Sequence, residues 1–475
     1  MKTINANDPH TKPETGFSAR FGWLLALGCV LSLILGSLRV PRHHDQVPEP
    51  TSEDTLSNAP AALSAGPEGS RRLPDPTSFD PAPTAEEIVA GKLQQFTRSR
   101  RELAREMARR KGVAVPDDVE HFFNALESGK WEEIDRQWKM LAKTSRQYND
   151  STDDDSPKLD PVWSAVLDAY GVAEQVHEWP AQKLLDYGNA ILDSLRPGMV
   201  YVGGTDYGRW IPTLLNETSG RDPHIIVTQN ALADGRYVEY MSTLYGDRFA
   251  TLTEADSQRA FSEYVTDARR RLEHDLQFPD EPKQLRAGEE VTMVDGKVQV
   301  GGQIAVMSIN ENLLQALMAK NPDLDFALQE SSPLRSTYPG ARPLGPLMEL
   351  GAQADQNGFT PEQAAQSLDY WRNRAEQAFS DPEAIHSEYA LKSYSHDTVS
   401  AANLLAAHNF TAEAEEAYRL ASQLWPGNPE SVAGLADSLV RNGRVNEARQ
   451  LVSEFEQRYP DQGSGLRRMA QQHGW

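Results

Sequence analysis

The sequence predicts an α/β domain, its sheet mixed or mostly parallel and covered by helices, joined to an all-α region built from repeats and preceded by a transmembrane helix. Three observations lead there. Between about residues 160 and 355, short apolar runs ending in glycine or polar residues alternate with helical periodicity, the pattern of a sheet under helices. Towards the C-terminus, matching residues recur 34 positions apart, as in stacked helical pairs. Near the start, Phe21–Leu38 is an uncharged apolar run long enough to cross a bilayer as a helix.

Residues 1–20 read as a short cytoplasmic tail. The run at 21–38 carries Trp23 near one interface, where an amphipathic ring is favoured. No small-residue cleavage site precedes "RVPRHHD", so the run reads as an uncleaved signal anchor. Lys2, Lys12 and Arg20 lie before it, Arg39 and Arg42 after it. That excess, with the terminal amine, places the bulk of the chain outside the plasma membrane, in the periplasm of a bacterium. Its expected partner there is the lipid bilayer. The one cysteine, Cys29, lies within the run, which excludes an intrachain disulfide and cysteine metal sites.

Residues 39–83 are rich in proline, serine and acid, cannot bury enough apolar surface to fold, and read as a tether. A helical segment follows over 84–148. Thr84 with Glu87 three residues on forms a capping signature. Gly129 divides a second helical pair whose apolar faces carry Phe122, Phe123, Leu126, Trp131, Ile134, Trp138 and Leu141. The formal net charge of −22 over 475 residues repels phosphate backbones and argues against nucleic acid as a partner. The one basic run, 98–112, spaces its bases among Leu103, Met107 and Val113, as the solvated face of an amphipathic helix does.

In the α/β domain at 160–355, "GMVYVGG", "HIIVTQN", "DFALQES" and "RPLGPLMEL" are strand candidates. "QKLLDYGNAILDSL", "RWIPTLLNE", "GRYVEYMSTLYG", "SQRAFSEYVTDARRRLEHDL" and "ENLLQALMAKNP" are helical. "EVTMVDGKVQVGG" predicts a hairpin turning at Asp295-Gly296.

The helical region at 356–475 contains the repeat. Ala402 pairs with Ala436, Leu405 with Leu439, Ala414 with Ala448, Trp425 with Tyr459 and Pro426 with Pro460. Over about 395–461 the chain resembles the tetratricopeptide-repeat family. Small residues at Ala402, Ala414 and Ala421 let paired helices approach, Tyr418 fills the space between them, and Pro426 ends the second helix. The second copy departs from the pattern at Val452 and Phe455. The resemblance implies a protein partner bound by the helical repeats. The preceding helix, "TPEQAAQSLDYWRNRAEQAF", is expected to cap the repeats or dock them on the α/β domain.

Two polar stretches carry the candidate chemistry. Gly203-x-x-x-x-Gly208 has Walker-type glycine spacing between strand and helix, but Arg209-Trp210 stand where Lys and Ser/Thr would hold phosphates and magnesium. A strand-to-helix turn is the plainer reading, with Gly203 and Gly204 in conformations closed to other residues and Asp206 as the cap. After the next strand come Gln229, Asn230 and Asp234. With the two strands adjacent and parallel, their carboxyl ends lie side by side, where open α/β sheets bind ligands. Thr205, Asp206, Arg209, Gln229, Asn230 and Asp234 are therefore the candidate ligand-binding residues. Over about Val200 to Tyr240 the pair of stretches resembles the soluble part of bacterial protein-mannosyltransferase-like membrane proteins. In that group the transferase chemistry resides in the multi-spanning part, so the likeness implies no catalytic residue here. As a whole, the chain resembles anchored bacterial proteins that carry tetratricopeptide repeats.

No cofactor or metal is implied, since no H-E-x-x-H pattern is present, and no G-x-S-x-G elbow marks a serine hydrolase. The expectation is a membrane-anchored interaction scaffold. The alternative is a glycosyltransferase-related or sugar- or nucleotide-binding protein using a cleft near 203–209 and 228–237.

Overall fold

The computed structural model describes residues 82–145, 156–204, 206–286, 289–294, 296–329, 338–350, 358–462 and 466. The expected tail and span, and the tether up to residue 81, lie outside the described residues. Among those described, no helix is long and apolar enough to cross a membrane.

Thr84 starts α1 (Ala85–Arg110). Its hydroxyl accepts from the Glu87 N–H at 3.3 Å, and the Glu87 carboxylate accepts from the Thr84 N–H at 2.9 Å. Gly129, at φ 68°, closes α2 (Asp117–Ser128) before α3 (Trp131–Thr144). One turn, α4 (Ser156–Leu159), leads to α5 (Trp163–Glu178). Trp138 of α3 stacks on Tyr170 of α5 at 4.1 Å and on Trp163 at 5.2 Å between ring centres. The helical segment therefore shares one continuous core with the α/β elements.

After α6 (Ala181–Leu192), β1 (Val200–Gly203) runs into α7 (Asp206–Glu217), which returns to β2 (Ile225–Thr228). These two strands are adjacent and parallel, with Gly203 opposite Thr228. Next come α8 (Gly235–Tyr245), α9 (Glu254–Gln277), the hairpin β3 (Glu290–Val294) and β4 (Lys297–Gly301), and α10 (Gln303–Lys320). They lead to β5 (Phe326–Leu328), parallel to β1 on its other side. β6 (Ala341–Leu344) and β7 (Leu347–Leu350) complete a mixed sheet in the order β2-β1-β5-β7-β6. The sequence suggests one strand over "RPLGPLMEL", but Gly345 at φ 59° turns the chain and makes it two.

β2 is an edge strand, and α8 seals it. The Thr228 N–H donates to the Tyr237 hydroxyl at 2.6 Å, and the Ile226 N–H to the Tyr245 hydroxyl at 2.9 Å. Tyr245 in turn donates to the Ile226 carbonyl at 3.1 Å. The edge backbone is satisfied by side chains and offers little to another strand.

One residue of the basic run departs from the expected solvated face. Arg100 is fully buried, donates to Glu217 of α7 at 2.6 Å and through a second N–H, and lies 3.5 Å from Asp168 of α5. Its guanidinium also lies 4.2 Å above the Phe96 ring. The reason is packing: α1 lies along α5 and α7, so its Phe96–Arg100–Ala104 stripe at i, i+4 spacing faces protein.

The helical region runs α11 (Pro361–Ser380), α12 (Pro382–His386), α13 (Glu388–Ala407), α14 (Thr411–Leu424), α15 (Pro429–Arg441) and α16 (Val445–Arg458). Ala402, Ala414, Ala421, Ala436 and Ala448 are buried where helices meet, with Leu405 and Leu439 beside them. The Tyr418 ring occupies the space left by Gly434, where an added Cβ would meet its Cε1 at 2.2 Å. Its hydroxyl donates to Asn403 at 2.7 Å. Val452 and Phe455 are buried in the second pair. Pro426 and Pro460 stand exposed just past the ends of α14 and α16, where they stop helices rather than pack. α11 packs against α14 on one side and β6 on the other, which ties the repeats to the sheet.

Candidate functional site

The turn after β1 is shaped by a proline two helical turns away in sequence. Pro212 lies inside α7 and has no N–H to give the Gly208 carbonyl, four residues earlier. The Tyr201 hydroxyl, from β1, donates to that carbonyl instead. The bond draws the strand end against the first turn of α7, so that a Cβ on Gly203 would lie 2.8 Å from the Gly208 oxygen. Gly203 itself is ordinary strand backbone. It is glycine for close approach, where the sequence suggested a special conformation.

The candidate residues fall into three surroundings. Asn230 meets the turn, its side-chain amide donating to the Gly204 carbonyl at 2.9 Å. Asp206, the first residue of α7, faces α5, and burial pushes its carboxyl up, opposed by Arg209. Arg209 turns inward. It is 5% exposed, stacks 4.1 Å from Trp210, and leaves Nε and Nη2 without hydrogen-bond partners. It lines a cavity of about 10 Å³ with Arg100, Asp168, Glu217, Thr228 and Tyr237, room for about one water. Gln229 is buried with its Oε1 unpartnered. Asp234 caps α8, accepting from the Arg236 N–H at 2.9 Å, and pairs with the Arg236 guanidinium, which reaches Asp160 at 3.2 Å. Thr205 lies outside the described residues.

β1 is flanked by β2 on one side and by β5 on the other, and the chain passes from β1 to β2 and then crosses back over β1 to β5, so the crevice of this sheet opens at the carboxyl ends of β1 and β5. Buried side chains take up that space. The Gln329 amide, just past β5, donates to the Tyr187 hydroxyl at 2.7 Å and to Asp397 of α13 at 2.5 Å. Tyr187 donates to the other Asp397 oxygen at 3.0 Å, and the Ser400 hydroxyl to the Gln329 carbonyl at 2.9 Å. Each partner satisfies the others, and α13 is thereby seated on the sheet.

Two groups of consequence escape the sequence reading: this Tyr187–Gln329–Asp397 cluster, and Glu174 of α5. Glu174 is 3% exposed, and burial, then Glu178 and Asp206, push its carboxyl up to about 8. Its one sequence signal is an acid directly after the uncharged run Ala169–Ala173 of α5. The cluster has none, since Gln329 and Asp397 meet only through the fold.

Residues 404–471 match the tetratricopeptide repeat family. No curated protein and no solved structure matches the chain. Repeats of this kind carry protein–protein interaction, and among the described residues no group of His, Cys, Asp or Glu could hold a metal ion.

Proposed function

We propose that this chain is a membrane-anchored interaction scaffold, held in the plasma membrane by residues 21–38 with its bulk outside, whose repeats recruit a protein partner. The observation that carries the reading is the repeat match at residues 404–471, which takes in the end of α13 and helices α14, α15 and α16. Along the first helices of those pairs, Asn403 and Ala406 on α13 and Ala433, Asp437 and Val440 on α15 are half-exposed, spaced at helical intervals. Such a row offers mixed apolar and polar contacts to a peptide or helix.

The alternative, a sugar- or nucleotide-binding cleft at the strand ends, has less behind it: Asp234 is engaged in a helix cap and Asp397 stands in the crevice. The transferase reading gains no support from these residues. Photo-crosslinking in the native cell tests the scaffold. A crosslinking residue at position 433, 437 or 440 is expected to trap one discrete protein, while the same residue on the exposed side of α2, at Glu127, traps none. Equal, diffuse capture at all four positions would sink the reading.

A further inference from the structure

Three carboxyls converge where the α/β unit meets the repeats. Glu174 and Glu178 come from the last turns of α5, Asp206 from the first turn of α7. Across from them stand Tyr389 and Lys392 on the first turns of α13. Glu174 Oε1 accepts from the Tyr170 hydroxyl at 3.1 Å, while its Oε2 is buried with no partner. The Tyr389 hydroxyl faces the Glu178 carboxyl across the junction, and each perturbs the other.

Acids outnumber bases at the junction. From α3, Asp135 faces Glu174; from α5, Glu178 and Tyr170; from α7, Asp206, with Arg209 behind it; from α13, Tyr389 and Lys392. Lys392 is the cation facing Glu178, and it is already held by Glu388 at 2.5 Å and by the Trp425 ring at 4.9 Å. An ionised Glu174 would be a buried charge without a donor on one oxygen, beside two other carboxylates. Relief comes from water, and on the first turn of α13 Glu388 is exposed and Tyr389, Leu391 and Lys392 are half-exposed, so this is where the junction borders solvent.

We propose that the junction of α5, α7 and α13 is a proton-operated latch, in which protonated Glu174 lets the start of α13 seat and its ionisation lifts those turns away. The proposal does not depend on what the repeats bind. In the seated form Glu174 keeps its proton to about pH 8. In the lifted form it is hydrated and titrates in the usual range near 4.3. Between those values lifting releases one proton, so each pH unit favours it about tenfold, and the seated form is most secure at the acid end.

Hydrogen–deuterium exchange on the full chain tests this from pH 5.5 to 8.5, with exchange corrected for its intrinsic pH dependence. Amides of 388–396 are expected to open about tenfold more per pH unit and to level off near pH 8, while those of α15 stay flat. Glu174→Gln is expected to remove the slope and hold the protection of low pH throughout. A flat wild type, or a variant that keeps the wild-type slope, overturns the latch. Should the variant not fold, carbon-13 glutamate titration of the wild type decides: a buried carboxyl ionising near pH 8 together with the opening supports it. Ionisation of every glutamate in the usual range refutes it.

Discussion

Removing the Tyr201 hydroxyl should cost more stability while Pro212 is present than after it is replaced. The Gly208 carbonyl receives no N–H from residue 212 and takes the Tyr201 hydroxyl instead, and Tyr201 is fully buried. Tyr201→Phe leaves that buried carbonyl short of a donor, at about 1–3 kcal/mol. The hydroxyl also lies 3.4 Å from Gln329 Oε1, a long and weak contact that adds little. In a Pro212→Ala background the new N–H serves Gly208 as in an ordinary helix, so the same change costs about 0.5–1 kcal/mol. The coupling across the four proteins is then about 0.5–2 kcal/mol. Urea denaturation read by tryptophan fluorescence measures it, with Trp210 buried next to the turn as one reporter. Equal costs of Tyr201→Phe in the two backgrounds would refute the reasoning.

Arg100→Leu leaves Glu217 and Asp168 without their buried cation and should cost about 3–5 kcal/mol, with Arg100→Leu/Glu217→Leu recovering a good part; chemical denaturation of both variants checks this. Gly434→Ala drives a Cβ into the Tyr418 ring and should loosen the contact between the two pairs by about 1–3 kcal/mol, read as faster amide exchange in α15 with α5 unchanged. Asp256 is held well below the usual carboxylate range, first by Lys320 at 2.8 Å and then by Thr253. Its contribution is present above the unfolded value near 3.9 and lost as pH falls through the folded one, so Asp256→Asn should weaken the protein at pH 7 and flatten its loss of stability below pH 4, as thermal melts would show.

Much of the architecture is legible from local pattern. The β1 and β2 runs are buried on both faces and read as continuous apolar stretches, and the period of 34 lines up Ala402 with Ala436 whatever lies around them. What escapes is set by approach between elements. Pro212 is plain in the sequence, but that its orphaned carbonyl would claim Tyr201 and make Gly203 obligatory depends on how α7 lies on β1. Arg100 was legible in part, since it shares the Phe96 and Ala104 stripe; only the position of α1 on α5 turns a solvated base into a buried one. At the site, adjacency of β1 and β2 brings Asn230 to the Gly204 turn. The helices then divide the rest: α8 takes Asp234 for its cap, α7 turns Arg209 inward, and Asp206 is left facing α5.

α13 belongs to two structures at once: it opens the helical array, and through Asp397 and Ser400 it is also part of the sheet's rim. An array of stacked pairs gains or loses members wherever a helix answers only to its predecessor. Next to α13 that freedom is gone, because a pair inserted there would have to break the bonds to Gln329. Counting therefore starts at the sheet. An added pair is therefore expected only on the side of α16, so the array would lengthen in one direction from a fixed origin, as a ruler does from its zero mark.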